Sequence, residues 1–317
     1  MQNEIKIFCT KDWVDYELFD TGEGEKLEKV GPHTFVRPYE SAVWQKTLSD
    51  KDWNSADGKF WSAKTGAKAG WTYSKDGPWG NSLKDRPLKW KMSYKGIKFL
   101  VTPTSFRHFG FFPEQASHWD FIEEKISRSI LDNILDKSKD SPVKFLNLFG
   151  YTGIASLFAL RAGAEVTHLD ASRQSLDWAK ENQKLNSDIT EAPMRVIEDD
   201  AIKFLEREVK RGNKYDAIVM DPPKFGRGPK GEAWKIEEML PKLLELARKV
   251  LSDRPLFVIL TSYATDSSSL SLGYALEEAL KGLKGEVAVG ELCVLEKSTG
   301  RLISLANTAV WSTIWAC

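Results

Sequence analysis

The chain has 317 residues, with 45 basic and 45 acidic side chains and a formal net charge of zero. Its 42% hydrophobic and 28% charged residues are typical of a soluble globular protein, and no apolar run approaches the ~18 residues of a membrane span. The N-terminus lacks the basic-then-apolar layout of a secretory signal, and the widely spaced Cys9, Cys293 and Cys317 argue against disulfides or a zinc site. We therefore expect a cytoplasmic protein with a large and a smaller domain, without a membrane segment or a metal.

Residues 1–103 predict a small β-rich domain. Short strands at residues 16–20 and 33–37 flank a glycine turn at 21–25, and residues 89–102 predict a hairpin that turns at Lys95-Gly96. Gly, Pro, Asp and Asn separate short aromatic runs, as in residues 70–81. This spacing favours a small barrel or sheet over helices.

The segment 59–108 is strongly basic although the whole chain is neutral. It contains eleven Lys or Arg residues, opposed only by Asp76 and Asp85. Aromatic residues are interleaved with these charges, among them Trp61, Trp71, Tyr73, Trp79, Trp90 and Tyr94. Lysines for phosphates and flat rings for unpaired bases are what single-stranded RNA binding needs. The alternative is a Trp-rich β domain whose lysines keep it soluble.

Residues 104–317 predict a second, larger domain. Pro113-Glu114 predicts the start of a helix that extends to about residue 135. The apolar side chains expected on its inner face are Trp119, Ile122, Ile126, Ile130, Leu131 and Leu135. The aromatic loop before this helix either covers a ligand or joins the domains as a hydrophobic staple. Strands at 143–149, 165–169, 194–197, 215–220 and 256–261 then alternate with helices, and 285–296 with 303–314 form a closing hairpin. This alternation predicts an α/β fold with a parallel sheet.

The stretch 143–170 has the plan of a nucleotide-type ligand site. A strand, a turn with Gly150 and Gly153, a helix and a second strand ending at Asp170 follow one another. Glycine lets bare backbone N–H groups approach a ligand, and the carboxylate can accept both hydroxyls of a ribose. The turn Gly-Tyr-Thr-Gly lacks a phosphate-holding lysine, so it favours a nucleoside without phosphate, such as S-adenosylmethionine. A βαβ unit that binds no ligand is the alternative.

Carboxylates follow three of the predicted strands: Asp170, Asp199 or Asp200, and Asp221. Each alone is a common helix N-cap, but ligands of open α/β sheets lie outside these strand ends. In Asp221-Pro222-Pro223 the prolines stop sheet pairing and leave carbonyls unpaired. Carboxylate and carbonyls can then hold the amine of a planar substrate in line with an electrophilic methyl group.

The motifs FLNLFGYTG, the strand end at Asp170, Asp199-Asp200-Ala201 and DPPKFG at 221–226 resemble the class I S-adenosylmethionine-dependent methyltransferases. More narrowly they resemble the bacterial 23S rRNA methyltransferase group, which includes cytosine-C5 and guanine-N7 enzymes. The resemblance covers the chain from Thr104 onward. It implies a Rossmann-like, mostly parallel sheet of seven strands with an antiparallel C-terminal hairpin.

The resemblance also implies the roles of individual residues. Gly150 and Gly153 are expected beside the methionine part of the cofactor, Asp170 at the ribose and Asp200 at the adenine amine. The implied cofactor-binding set is His108, Phe111, Gln115, Phe149, Gly150, Tyr151, Thr152, Gly153, Asp170, Ala171, Ser172, Asp199, Asp200, Ala201 and Asp221. The implied acceptor set is Asp221, Pro222, Pro223 and Phe225.

Two departures from the family pattern narrow the expected reaction. Cytosine-C5 relatives carry a cysteine just after the fifth strand, where this chain has Thr261-Ser262-Tyr263-Ala264, and Cys293 is more simply a buried thiol. Lys224 stands where amino-group methyltransferases have a stacking ring, which leaves the acceptor atom open. We expect methylation of RNA, in particular rRNA, at a base nitrogen. A protein or small-molecule acceptor, or a non-catalytic RNA-binding protein, are the alternatives, and the sequence leaves the oligomeric state open.

Overall fold

The computed structural model describes residues 4–62, 69–74, 89–136, 142–189, 192–263 and 267–313. The chain forms two compact units, each discontinuous in sequence. The first unit contains Met1–Phe8, Ser117–Leu292 and Ser304–Cys317, and the second contains Cys9–Ala116 and Cys293–Ile303. Our division of the chain after residue 103 stays a prediction.

The elements follow one another in chain order with few long connections. The strands are β1 (Ile5–Cys9), β2 (Tyr16–Gly22), β3 (Glu25–Val30), β4 (His33–Pro38), β5 (Gly58–Trp61), β6 (Gly70–Tyr73), β7 (Trp90–Tyr94), β8 (Ile97–Val101), β9 (Lys144–Leu148), β10 (Glu165–Asp170), β11 (Arg195–Glu198), β12 (Ala217–Met220), β13 (Phe225–Arg227), β14 (Ala233–Lys235), β15 (Phe257–Ser262), β16 (Glu286–Leu295) and β17 (Leu302–Ser312). The helices are α1 (Asp50–Asn54), α2 (Ala116–Asp136), α3 (Ile154–Arg161), α4 (Arg173–Leu185), α5 (Ala201–Arg211), α6 (Ile236–Val250) and α7 (Ser269–Ala279). A 3₁₀ turn at Pro113–Gln115 precedes α2, as the proline there predicted.

The first unit is built on an eight-stranded sheet of order β1-β16-β17-β15-β12-β9-β10-β11. Strands β15, β12, β9, β10 and β11 are parallel, whereas β17 is antiparallel to β15. The chain leaves β9 toward β10 and β11 and then returns to the other side at β12. The strand order therefore reverses between β9 and β12, which is where open α/β sheets bind ligands. The predicted α/β class is confirmed.

The sheet has one strand more than the seven that the resemblance implied. Strand β1 lies at the edge beside β16, and its Ile5 and Ile7 are exposed. A Cβ on Gly290 of β16 would collide with the carbonyl oxygen of Lys6, so glycine is required for this pairing. The sequence did not predict β1, because its apolar side chains are not covered by a core.

The core of the first unit consists of largely apolar parallel strands covered by helices. Leu146, Leu148, Ile218, Met220 and Leu260 are buried on these strands and pack with side chains from α5, α6 and α7. Burial of each such side chain contributes about 1.5–3 kcal/mol. The strand ends are therefore fixed by close packing on both sides.

Helix α2 packs mainly as predicted. Trp119, Ile122 and Ile126 are buried, and the Trp119 ring stacks on Phe158 with centroids 5.7 Å apart. Leu131, which we placed on the inner face, is instead 55% exposed. It lies five residues after Ile126, which rotates it about 140° from that face of the helix.

The second unit contains a sheet of order β2-β3-β4-β5-β6 and a separate hairpin, β7–β8. The hairpin turns at Lys95-Gly96, both with positive φ, as predicted. The core of the second unit is aromatic: Phe35 contacts the rings of Trp71, Trp90 and Phe109 at centroid distances of 4.6–6.0 Å.

Most described aromatic residues of the basic segment 59–108 belong to this core. Phe60, Tyr94 and Phe99 are buried, whereas Trp61 is 48% exposed. Lys59, which we counted as basic surface, is paired with Glu25 at 2.5 Å. Lys64, Asp76, Trp79 and Asp85 lie outside the described residues. The contacts favour the interpretation of a Trp-rich β domain for the aromatic rings, while Lys91, Lys95 and Lys98 are exposed.

The second unit also contains a buried ion cluster. Arg37 donates to both carboxylate oxygens of Glu28, and Tyr16 donates to Glu28 Oε2 at 2.9 Å. Lys26 Nζ lies 3.3 Å from the same oxygen. Burial opposes ionisation of Glu28, but Arg37 and Lys26 hold its pKa at about 2. The charges are therefore paired inside the unit.

Candidate cofactor and acceptor site

The sheet of the first unit brings four predicted site segments to one edge. Leu148 at the end of β9 is aligned with Leu169 of β10 and Met220 of β12, and Asp170 is aligned with Glu198 of β11. The segments that follow these strand ends are 149–153, 170–172, 199–201 and 221–223. Because parallel strands end at the same side of a sheet, these segments surround one region.

The turn after β9 has an unusual backbone. Phe149 and Tyr151 have φ angles of 59° and 51°, in the left-handed region, and Gly153 has 84°. For the two side-chain-bearing residues this conformation costs roughly 1–3 kcal/mol each and persists only where surrounding contacts enforce it. Such outliers cluster at ligand sites, so the turn is a strong candidate for function.

The N–H groups of this turn are used inside the protein. Gly150 N–H donates to Leu169 O at 2.9 Å, Gly153 N–H to Gly150 O at 3.1 Å, and Tyr151 N–H to Asp170 Oδ2 at 2.9 Å. Our prediction of bare N–H groups is wrong for these three. With those donors taken, the turn suits a ligand without phosphate.

A buried histidine lies under the turn. A Cβ on Gly150 would be 2.5 Å from His168 Nδ1, so only glycine fits above the imidazole. His168 Nδ1 lies 3.0 Å from Ser156 Oγ, and Nε2 lies 3.3 Å from Tyr151 O. Burial lowers the pKa of His168 to about 4, so the ring is neutral at neutral pH.

The neighbours of His168 fix its tautomer. Asn147 Nδ2 donates to Ser156 Oγ at 3.0 Å, which leaves the Ser156 hydroxyl to donate to His168 Nδ1. The Nε2–H then donates to Tyr151 O, since a carbonyl can only accept. Sequence reasoning missed Asn147, Ser156 and His168, although polar side chains within apolar buried elements were the available signal.

Helix α4 secures the other side of the turn. Asn182 Nδ2 donates to Thr152 O at 2.9 Å, and Thr152 is buried. The helix begins as predicted at Ser172, whose Oγ accepts from Ser175 N–H at 3.3 Å. The carbonyls of Tyr151 and Thr152 are thus both bound by buried side chains, which makes the turn pre-organised.

Asp170 connects the turn to the end of β10. Its Oδ2 accepts from Tyr151 N–H, and its Oδ1 accepts from Ser172 N–H at 2.8 Å. Burial raises the pKa of Asp170, and the backbone donors of Ser172, Tyr151 and Ala171 oppose this rise. A carboxylate has about four acceptor positions, so acceptor capacity remains for a ribose hydroxyl.

The acidic pair after β11 has structural partners. Asp199 forms an ion pair with Arg207 and accepts from Asp200 N–H at 2.9 Å. Asp200 is the N-cap of α5 and accepts from Lys203 N–H at 3.0 Å. Ala201 is buried in the first turn of that helix. Asp200 is therefore a helix N-cap, the alternative role given above for such a carboxylate. Its contact with an adenine stays a prediction.

The segment after β12 places Asp221 beside the turn. Asp221 N–H donates to Leu148 O at 3.4 Å, and Pro222 is buried while Pro223 is exposed. Pro223 O accepts from Trp234 Nε1 at 2.6 Å, so our prediction of unpaired carbonyls is wrong for this proline. The Trp234 ring lies 4.9 Å from Phe149, which links the two strand ends.

His108, Phe111 and Gln115 belong to the second unit. Burial, followed by the nearby Arg37, Arg107 and Lys26 charges, lowers the pKa of His108 to about 3. Phe111 is buried against Trp13, at a centroid distance of 5.6 Å. Their predicted position over a cofactor stays a prediction.

The described residues contain neither a membrane-spanning helix nor a metal-binding cluster. None of the helices is both long enough and apolar enough to pass through a membrane. Within the same part of the chain, no three or more His, Cys, Asp or Glu side chains are grouped as a metal site requires.

Comparison with known proteins identifies a full-length structural relative. The crystal structure of the SAM-dependent methyltransferase from Agrobacterium tumefaciens is 39% identical, with a TM-score of 0.85, and the match covers 98% of this chain and 94% of that one. No protein-family model matches the chain.

Shorter matches are found to curated bacterial enzymes. Ribosomal RNA large subunit methyltransferase K from Neisseria meningitidis serogroup B is 37% identical over 34% of this chain and 31% of its own length. Ribosomal RNA large subunit methyltransferase I from Aeromonas salmonicida is 33% identical over 41% of this chain and 29% of its own. The matches thus span about a third or less of these relatives.

Proposed function

Since this chain belongs to the S-adenosylmethionine-dependent methyltransferases, we propose that it methylates a base nitrogen of RNA, with ribosomal RNA as the substrate. The observation that carries the proposal is that two strand ends are neighbours where the strand order of the sheet reverses. The strained turn 149–153 follows β9, and Asp221-Pro222-Pro223 follows the neighbouring β12. A donor site and an acceptor site are then adjacent.

The residues after β9 and β10 fit the methyl donor. Asp170 retains acceptor capacity for the ribose, and the internally bonded N–H groups of the turn suit a nucleoside without phosphate. Gly150 and Gly153 allow close approach beside the methionine part, with Phe149, Tyr151, Thr152, Ala171 and Ser172 completing this side. Asp199, Asp200 and Ala201 are proposed at the adenine, and His108, Phe111 and Gln115 as the cover. When bound, S-adenosylmethionine supplies an electrophilic methyl carbon.

The residues after β12 fit a planar acceptor with an amine or ring N–H. Asp221 and the Pro222 carbonyl accept its hydrogen bonds and aim the nitrogen lone pair at the methyl carbon. The bound donor would supply the methyl group and keep the C–S electron pair on its sulfur, and Asp221 would accept the proton that the methylated nitrogen loses. Thr261, Ser262 and Tyr263 provide no thiol at the end of β15, which supports a nitrogen over a cytosine C5 acceptor.

Two features support RNA as the substrate. The curated relatives that match part of the chain are ribosomal RNA methyltransferases by name. Lys91, Lys95 and Lys98 of the second unit are exposed cations. An RNA substrate, together with the reduced thiols of Cys9 and Cys293, supports a cytoplasmic location.

The test is transfer of a labelled methyl group. Purified protein and tritiated S-adenosylmethionine are incubated with RNA from cells that lack the gene, and the nucleosides are separated by mass spectrometry. We expect one N-methylated base that is absent from the RNA of the deletion strain and restored by the purified protein. Label found only in protein or in small molecules would refute the RNA assignment.

A further inference from the structure

A short arm follows the acceptor motif in the first unit. Strands β13 and β14 pair in antiparallel fashion, with Phe225 opposite Lys235 and Arg227 opposite Ala233. We call residues 225–235 the acceptor arm. The sequence pattern did not indicate this arm, because its strands are three residues long and its tip is rich in glycine.

The root of the acceptor arm is fixed to the acceptor motif. Trp234 Nε1 donates to Pro223 O at 2.6 Å, and Ile236 N–H donates to Lys224 O at 3.1 Å. Trp234 itself is buried. Because the arm is tied to the residues directly after Asp221, whatever binds the arm is held in register with the acceptor site.

The acceptor arm and the adjoining Lys224 carry a surplus of positive charge. Four cations lie in residues 224–235, against one acid, Glu232. Lys203 Nζ lies 2.5 Å from Glu232 Oε1, balances its charge and lowers the pKa of that carboxyl to about 2. The backbone N–H of Lys230 donates to Glu232 Oε2 at 2.9 Å. Lys235 is paired with Glu238. Arg227 and Lys230 are exposed and have no ion pair within the described residues, so both cations are available to an anion.

An exposed aromatic ring lies at the base of the acceptor arm. Phe225 is 61% exposed, and Lys224 Nζ lies 5.8 Å from its centroid. A flat ring within a cationic segment is the arrangement that binds single-stranded nucleic acid, since bases stack on the ring and phosphates contact the cations. A scattered charged surface without the ring would attract any polyanion equally.

We propose that the acceptor arm binds a single-stranded segment of RNA, with Arg227 and Lys230 at backbone phosphates and Phe225 stacked on a base. The inference rests on the proposed function in that the substrate is RNA. It adds a docking surface on the first unit, which holds the strand in register with Asp221.

The test is the salt dependence of RNA binding. A fluorescein-labelled oligouridylate is titrated with the full-length protein, and fluorescence anisotropy is followed between about 50 and 200 mM salt. For single strands each phosphate contact contributes about 0.7 to the slope of log K against log salt, so Arg227→Gln with Lys230→Gln should lower the slope by about 1.4. Phe225→Ala should weaken binding roughly 5- to 150-fold without changing the slope. Lys184→Gln, which removes an exposed cation from α4, is the matched control and should change neither.

The outcomes separate this inference from the proposed function. Binding by the wild type with an unchanged slope in the double variant would overturn the acceptor arm while leaving RNA methylation intact. No binding of RNA by the wild type at low salt would overturn both. Equal competition by polyglutamate, with the same loss in the double variant, would make the arm a general polyanion surface and overturn its assignment to RNA. Cofactor affinity, measured by calorimetry with S-adenosylhomocysteine, should be the same in all variants.

Discussion

The ends of β9 and β12 are neighbours in the same sheet, yet they are constructed differently. After β9, the carbonyls of Tyr151 and Thr152 are bound by His168 and Asn182, and the N–H groups of Gly150 and Tyr151 are bound as well. After β12, prolines and an exposed Phe225 lead into the acceptor arm.

This difference matches the demands of the two ligands. A small nucleoside donor is recognised by a pre-shaped turn, because a rigid site loses little entropy on binding. A large substrate must reach the acceptor residues from solvent, so its side of the site keeps exposed groups. We therefore expect the turn to set cofactor affinity and the Asp221 side to set turnover.

Replacement of Asp221 by Ala tests this division and should have the largest effect. We expect turnover to fall about 10²-fold or more, because the hydrogen bonds that aim the acceptor are lost, while affinity for S-adenosylhomocysteine stays within about 3-fold. Methyl transfer from tritiated cofactor and calorimetry measure the two quantities. Glu237→Ala, an exposed acid of α6, is the control. A parallel loss of cofactor affinity would mean that the two strand ends do not have separate roles.

Replacement of Asp170 by Ala should show the opposite pattern. Hydrogen bonds to a charged group are worth about 1.5–3 kcal/mol, so we expect a 10- to 100-fold weaker affinity for S-adenosylhomocysteine (about 1.4 kcal/mol per tenfold). In the wild type, affinity should also fall as the pH falls through the pKa of Asp170, which burial raises above 3.8. Protonation of the Asp170 carboxylate removes acceptor positions for the ribose, so the affinity is lower at the lower pH. Asp177→Ala on the exposed face of α4 serves as control, and an unchanged affinity in Asp170→Ala would contradict the ribose assignment.

Sequence periodicity predicted the main elements of the first unit because their apolar strands are buried on both faces. The strands at 144–148, 165–170, 217–220 and 257–262, and the helix cap at Ser172, were found within one or two residues. Strand β1 was missed since its partner β16 lies some 280 residues away in the chain and its side chains are exposed.

The polar contacts of the site were harder to predict. His168 occupies an ordinary strand position in the sequence, and only the fold shows that it lies under Gly150 and reaches Ser156. In the same way Asp199 has the spacing of a ligand group, but Arg207 from the next turns of α5 is paired with it. Partners of polar side chains depend on tertiary placement, which spacing alone does not provide.

Replacement of Gly150 by Ala tests the shape of the turn, with a smaller effect than loss of Asp170. The new methyl group would overlap the His168 ring, and overpacking of this kind costs about 1–3 kcal/mol. We expect a lower midpoint of thermal unfolding together with weaker binding of S-adenosylhomocysteine. Gly70→Ala is the control, because a Cβ there meets no atom within 4 Å. Wild-type stability and affinity in Gly150→Ala would show that the turn is not closely packed.

The pH dependence of stability tests the buried network under the turn. His168 has a pKa of about 4 in the folded protein against 6.5 when exposed, so between these values only the unfolded chain binds the proton. The free energy of unfolding therefore falls as the pH falls from 6.5 toward 4, by up to about 3 kcal/mol from this residue. His168→Gln keeps an N–H for Tyr151 O but does not titrate, so it should lower the slope by up to about 1.4 kcal/mol per pH unit. Urea unfolding of both proteins across this range measures the difference, with the other buried histidine of the first unit, His118, present in both. Parallel curves would mean that His168 is protonated in the folded state, and that the turn is not held by a neutral imidazole.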